Sequence, residues 1–227
     1  PIPGFKLSVD AVSPRFIWNM EGNVLGGNPV LHLVMPLLSK RVGLGGVTQA
    51  KQGLGDITFG AALAFHHGNG SHSVVALDVV APTGDYKAGD LANLGRNHWS
   101  LQPLYAYSRV SPDGLNADVK TVLNLNRRNP DTDYRSGTEL IIDYAIGWGV
   151  GKGWVAGVGG SLVEQLSDDR LGGTRLPDSR TRMFAIGPSV RYQNAEGAFI
   201  TFKWQRETSV RNRAEGSAFW LVASLPI

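Results

Sequence analysis

Along this chain, apolar and polar side chains alternate in segments of about ten residues, and no other property limits its fold so tightly. The clearest segment is LNADVKTVLNLN, residues 115–126. Its odd positions are Leu115, Ala117, Val119, Thr121, Leu123 and Leu125, and its even positions are Asn116, Asp118, Lys120, Val122, Asn124 and Asn126. Successive side chains of a strand point to opposite faces, so this period of two makes one greasy face and one wet face. A single such strand would also suit a soluble sandwich whose greasy face is turned to a core. The recurrence of the pattern down most of the chain points instead to a bilayer, which a tilted strand of about 9–11 residues crosses. The chain therefore reads as all-β: an antiparallel transmembrane β-barrel forming a single domain over residues 1–227.

Composition narrows the class further. With 42% hydrophobic residues and a mean hydropathy of −0.10, no run approaches the roughly 18 apolar residues of a membrane helix. The 29 glycines suit tight turns and close strand packing. Cysteine is absent, which removes disulfides, thiol nucleophiles and thiolate metal sites. The net charge of +3 is small, and no Lys/Arg cluster is interleaved with aromatics, so no nucleic-acid partner is expected. The opening PIPGF has no charged and then apolar leader, so any signal peptide is expected outside this sequence.

About eleven strands can be traced: residues 6–20, 29–38, 53–67, 72–82, 98–108, 115–126, 138–150, 154–167, 181–193, 198–207 and 217–227. The first changes phase near Ser13 and Pro14, as a bulge would make it do. Long polar connections are expected near 39–52, which is rich in glycine, and near 82–97, 127–137, 168–180 and 208–216. They alternate with short turns, as do the outer loops and periplasmic turns of outer-membrane barrels, which puts the C-terminus in the periplasm. Bacterial single-chain barrels have an even number of strands, so about twelve are expected in the full protein, the first lying upstream of Pro1.

The stretches GLGDITFG (53–60), HSVVALDVVAPTGDY (72–86), LANLGRNHWSLQPLYAYS (91–108), DTDYRSGTELIIDYAIGWGVGKGW (131–154) and VRNRAEGSAFW (210–220) resemble the putative meta-pathway of phenol degradation family of outer-membrane channels. The resemblance spans nearly the whole chain. It implies a barrel of about twelve strands in the bacterial outer membrane and, from the genes such channels accompany, uptake of hydrophobic or aromatic compounds. A terminal aromatic residue is common in outer-membrane barrels, and this chain ends in Ile227.

The expected lumen lining comprises Asp56, Asp78, Asn116, Asp118, Lys120, Glu139, Asp143, Arg191, Lys203, Gln205 and Glu207. Charges of both signs must meet water or one another, since burying them dry is costly. They would either filter solutes along a hydrated path or brace a plugged barrel. Small inward residues such as Gly60, Ala62, Gly147, Gly157 and Gly159 leave room and favour the path. Trp220, expected on the inner face, is a candidate constriction. Outward aromatics such as Trp99, Tyr105, Trp148 and Trp204 read as interface girdles. His66 and His72 could meet across a hairpin, but two ligands fall short of a closed zinc site. His32 is expected on the inner face at the periplasmic end.

The expected function is passive uptake of small solutes by a monomeric barrel surrounded by outer-membrane lipid and lipopolysaccharide, with no cofactor, no metal and no catalytic residue. The alternatives are an outer-membrane enzyme acting on lipid through His98 and Ser100, or an occluded structural barrel.

Overall fold

The alternating segments fold into strands of one large antiparallel sheet. The computed structural model describes residues 4–226. In chain order its strands are β1 (Lys6–Val12), β2 (Arg15–Asn19), β3 (Asn28–Val34), β4 (Leu37–Leu44), β5 (Val47–Leu54), β6 (Ile57–Gly68), β7 (Ser71–Ala81), β8 (Ser100–Arg109), β9 (Leu115–Asn126), β10 (Tyr134–Arg135), β11 (Glu139–Gly149), β12 (Trp154–Gln165), β13 (Arg170–Leu171), β14 (Thr174–Arg175), β15 (Arg182–Gln193), β16 (Phe199–Arg211) and β17 (Ser217–Ser224). The principal sheet has eleven strands in the order β2-β3-β6-β7-β8-β9-β11-β12-β15-β16-β17. Each of the eleven overlaps one of the alternating segments, and among the described residues β2 and β17 form its two edges. Ile227 lies outside the described residues.

Two three-stranded sheets complete the architecture: one lies wholly within expected loops, and the other joins β1, from the first expected strand, to a hairpin lying mostly within an expected loop. The glycine-rich stretch 39–52 is not a loop but a hairpin of β4 and β5, with β1 added against β4. Its turn is Gly45-Gly46, both at positive φ (58° and 85°), which a two-residue hairpin of this hand requires. The stretches 127–137 and 168–180 meet through β10, β13 and β14. β16 also runs four residues beyond its expected end, to Arg211.

The pairs β1/β2, β3/β4 and β5/β6 are three long strands interrupted at the same level, at residues 13–14, 35–36 and 55–56. Pro14 and Pro36 lack an N–H and cannot continue the ladder. Hydrogen bonds from Met35 N to Pro14 O (3.0 Å) and from Gly55 N to Pro36 O (2.7 Å) stitch the three breaks together. The expected phase change at Ser13 and Pro14 is this break.

The 82–97 connection packs on the β4–β5 hairpin. Ala92, Leu94 and Val42 are buried there. Ala92 N donates to Gln49 Oε1 (2.9 Å), Lys40 Nζ donates to Asn93 O (3.1 Å), and Lys51 Nζ sits 2.6 Å from Asp85 and 2.8 Å from Asp90.

The two faces of the principal sheet differ as the sequence pattern dictates. One carries Trp99, Tyr105, Ile146, Trp148, Trp154, Ile186, Phe202 and Trp204, all exposed, with Trp148 at 58%. An exposed apolar surface this extensive is unusual on a soluble monomer and normal against lipid. The other face is the wet one.

Candidate functional site

Directly opposed residues of antiparallel strands share a face, so the pairing register assigns the wet face row by row. One row on the loop side of the sheet runs His32, Gly60, Asp78, Gln102, Asn124, Glu139 and Gln165. It is a hydrogen-bonded belt. Gln102 Nε2 donates to Asn124 Oδ1 (3.1 Å), Asn124 Nδ2 donates to Glu139 Oε2 (2.8 Å), and Thr181 Oγ1 donates to Gln165 Oε1 (3.2 Å). Asn124 is only 1% exposed and His32, Asp78 and Gln165 are buried with it, while Gly60, Gln102 and Glu139 are half-buried. His32 lies within it at mid-sheet, not at the short-turn end expected for it. Its Nδ1 accepts from Arg15 Nε (3.1 Å), which leaves the ring proton on Nε2 for Asp78 Oδ1 (2.7 Å).

The next row is apolar: Leu104, Val122, Ile141, Val163 and Met183, of which Val122, Val163 and Met183 are buried. Below it Lys120 stands opposite Asp143, whose Oδ1 accepts from Ser161 Oγ (2.6 Å). Lys120 is exposed, so the wet face opens again at this level. Asp118 accepts a hydrogen bond from Ser108.

Toward the short turns one row reads Asn116, Gly147, Gly157, Ser189, Lys203 and Trp220 across six consecutive strands. The two glycines put bare backbone in the middle of the row. A cavity of about 250 Å³ opens there, with Asn116 and Asp118 on one side and Arg191, Phe199 and Lys203 on the other. The Arg191 guanidinium lies over the Phe199 ring, 4.4 Å from its centroid, and donates from Nη2 to Gln193 Oε1 (2.8 Å). Its Nε is the one buried side-chain polar atom among the described residues that lacks a partner. Trp220 shares the face with Lys203 but is 51% exposed on the edge strand β17.

The family model described as "Putative MetA-pathway of phenol degradation" matches residues 1–222. The chain belongs to that family. Among solved structures it is similar to the COG4313 outer-membrane channel from Pseudomonas putida F1, with a TM-score of 0.78 and 19% identity, covering 96% of this chain and 82% of that one. At that identity the likeness shows the fold alone. No curated protein matches.

Other expected lining residues of this family member are occupied by loops and turns. Asp56 precedes β6, and its carboxylate accepts from Gly84 N (3.0 Å) and Arg96 N (2.8 Å), pinning the 82–97 connection. Asn116 caps the 111–114 turn through Ser111 and Gly114, and Glu207 holds the last loop through Gly216 N (2.8 Å) and Arg213 (3.2 Å). Gln205 is buried opposite Ala218.

The loop sheet carries its own charge network, which sequence reasoning missed. Asp168 is held by Arg175 and Arg180, and Arg175 first and Arg180 second keep its carboxyl below the usual range. Burial, then the hydrogen bond to Asp169, pushes the Tyr134 hydroxyl up.

His98 and Ser100 are both buried, 3.4 Å apart, but the serine hydroxyl donates to Asn126 Oδ1 (2.8 Å) and His98 Nδ1 faces the Trp99 carbonyl (3.2 Å). In that arrangement the serine proton is donated to Asn126 rather than to the imidazole. His66 and His72 do meet across their hairpin (Nδ1 to Nδ1, 2.8 Å), and among the described residues no third ligand-type side chain joins them.

Proposed function

We propose that the protein is a channel of the bacterial outer membrane, a closed monomeric barrel of about twelve strands that admits small hydrophobic or aromatic molecules passively. One observation carries this reading: a single antiparallel sheet has an exposed apolar face and an opposite face with a cavity bordered by charges. The family's description, which refers to phenol degradation, and the similar channel from Pseudomonas putida F1 support it. Solutes enter among the long loops and leave at the short turns. They pass Asp78 and Glu139 in the belt, then Lys120 and Asp143, then Arg191 and Lys203, while Trp220 narrows the final stretch.

The buried apolar row around Val122 and Val163 favours a lumen closed at rest, since an apolar constriction shuts a pore by excluding water. Conductance in planar bilayers, paired with phenol uptake into liposomes, tests the reading. Discrete current steps, or phenol uptake above that of protein-free liposomes, are expected. Folded protein that gives neither would overturn it, and lipid turnover dependent on His98 would point to an enzyme instead.

A further inference from the structure

The cavity at the short-turn end is built from parts that a neutral aromatic solute would not need. Arg191 and Lys203 occupy the same wall, one residue row apart, on the neighbouring strands β15 and β16. Neither makes an ion pair with a carboxylate among the described residues, whereas Arg175, Arg180, Arg182 and Arg213 all do. The Asp118 carboxylate on the opposite wall is engaged by Ser108. Two cations against one carboxylate leave the cavity with an excess positive charge.

The protein also holds Arg191 without satisfying it. Phe199 covers one face of the guanidinium, Gln193 takes a single donor, and Nε is left unpaired where water cannot reach it. Leaving a charged donor buried and unpaired costs stability, and such atoms in a folded protein call for an explanation. A guanidinium presents its donors in a planar fork that matches the two oxygens of a carboxylate. The same cavity is lined by the Phe199 ring and, on β11 and β12 across from it, by Gly147 and Gly157, whose missing side chains leave room for a ring.

We infer that this cavity binds a small aromatic carboxylate, with its anionic group between Arg191 and Lys203 and its ring against Phe199, in the room left by the two glycines. The inference deepens the channel reading above by naming the charge class of the solute. A small swing of Arg191 would bring Nε and one Nη onto the carboxylate oxygens and resolve the orphan donor. The charge is placed where a solute leaves the narrow part of the lumen, so it raises the local concentration of anions there.

The test is equilibrium binding to the purified, folded protein at neutral pH, by calorimetry or ligand-observed NMR, with benzoate as the probe and benzyl alcohol and acetate as controls. Benzoate is expected to bind more tightly than either. Arg191→Met and Lys203→Met should each weaken it about ten- to a hundredfold, the range for losing a charged hydrogen bond. Asp118→Asn, which removes the opposing charge, should strengthen it. Equal binding of benzoate and benzyl alcohol, or Met variants that are folded by gel mobility and bind benzoate like the wild type, would overturn the inference. Acetate binding as tightly as benzoate would overturn its aromatic part. A protein that conducts but does not bind benzoate loses this inference and keeps the channel reading; one that binds benzoate as described but neither conducts nor transports keeps the site and loses the channel.

Discussion

His32 Nε2 lies 2.7 Å from Asp78 Oδ1 across the intervening strand β6, and Gly60 is what lets them meet. A Cβ on Gly60 would fall 2.1 Å from the Asp78 oxygen and 2.6 Å from the His32 nitrogen. Both partners are 5% exposed, so separating them strands buried polar atoms at a cost of about 1–3 kcal/mol. His32→Leu and Gly60→Ala should each lower stability by that amount in urea unfolding from detergent. A Gly60→Ala protein as stable as the wild type would show that the pair does not depend on the bare backbone between them.

Asp56 ties the 82–97 connection to the start of β6 through Gly84 N and Arg96 N. Asp56→Ala should free that segment and uncover the Ala92, Leu94 and Val42 contact. Limited proteolysis should then cut within residues 84–96 several times faster than in the wild type, while the strand ladder stays protected. An unchanged cleavage pattern would mean that the β4–β5 contacts alone hold the loop.

The network around Asp168 predicts a pH dependence confined to the loops. Arg175 and Arg180 lower its folded pKa below the ordinary 3.8. The stabilisation is therefore fully present above that value and is lost as the pH falls through the lowered folded value. Amide protection factors in residues 168–180, taken against the intrinsic exchange rate at each pH, should be high at neutral pH and fall below the usual carboxylate range. Asp168→Asn should show the low protection at every pH.

Ile186 sits midway along β15 on the exposed apolar face. If that face meets lipid, Ile186→Arg costs about 2–4 kcal/mol at the bilayer midplane. Unfolding measured in vesicles should register the loss. A cost near zero would mean that water, not lipid, covers the face.

The eleven strands of the main sheet are legible in the sequence because their period of two is enforced by two different environments, and the two-sided constraint leaves a trace at every position. The hairpin of β4 and β5 left no such trace. In its residues SKRVGLGG Lys40 shares a face with Val42 and Leu44 while the other face carries only Ser39, Arg41 and glycine, and glycine reads as loop even where it builds a turn between strands. Faces were also more legible than partners. Asp78 and Lys203 can be placed by parity alone, but that Asp56 serves a loop, that Asp168 gathers two arginines, or that Arg191 lies over Phe199 depends on long connections or diagonal neighbours. The last of these could have been anticipated, since the tight NAEG turn puts Gln193 opposite Phe199 and so brings Arg191 within reach.

The aligned interruptions at Pro14, Pro36 and Gly55 form a crease across three neighbouring strands. A crease concentrates bending along one line and spares the material on either side. Forces applied at the tip of the β4–β5 hairpin would be absorbed there as rotation, so the panel beyond could tilt as a unit while the polar belt around His32 and Asn124 keeps its registry.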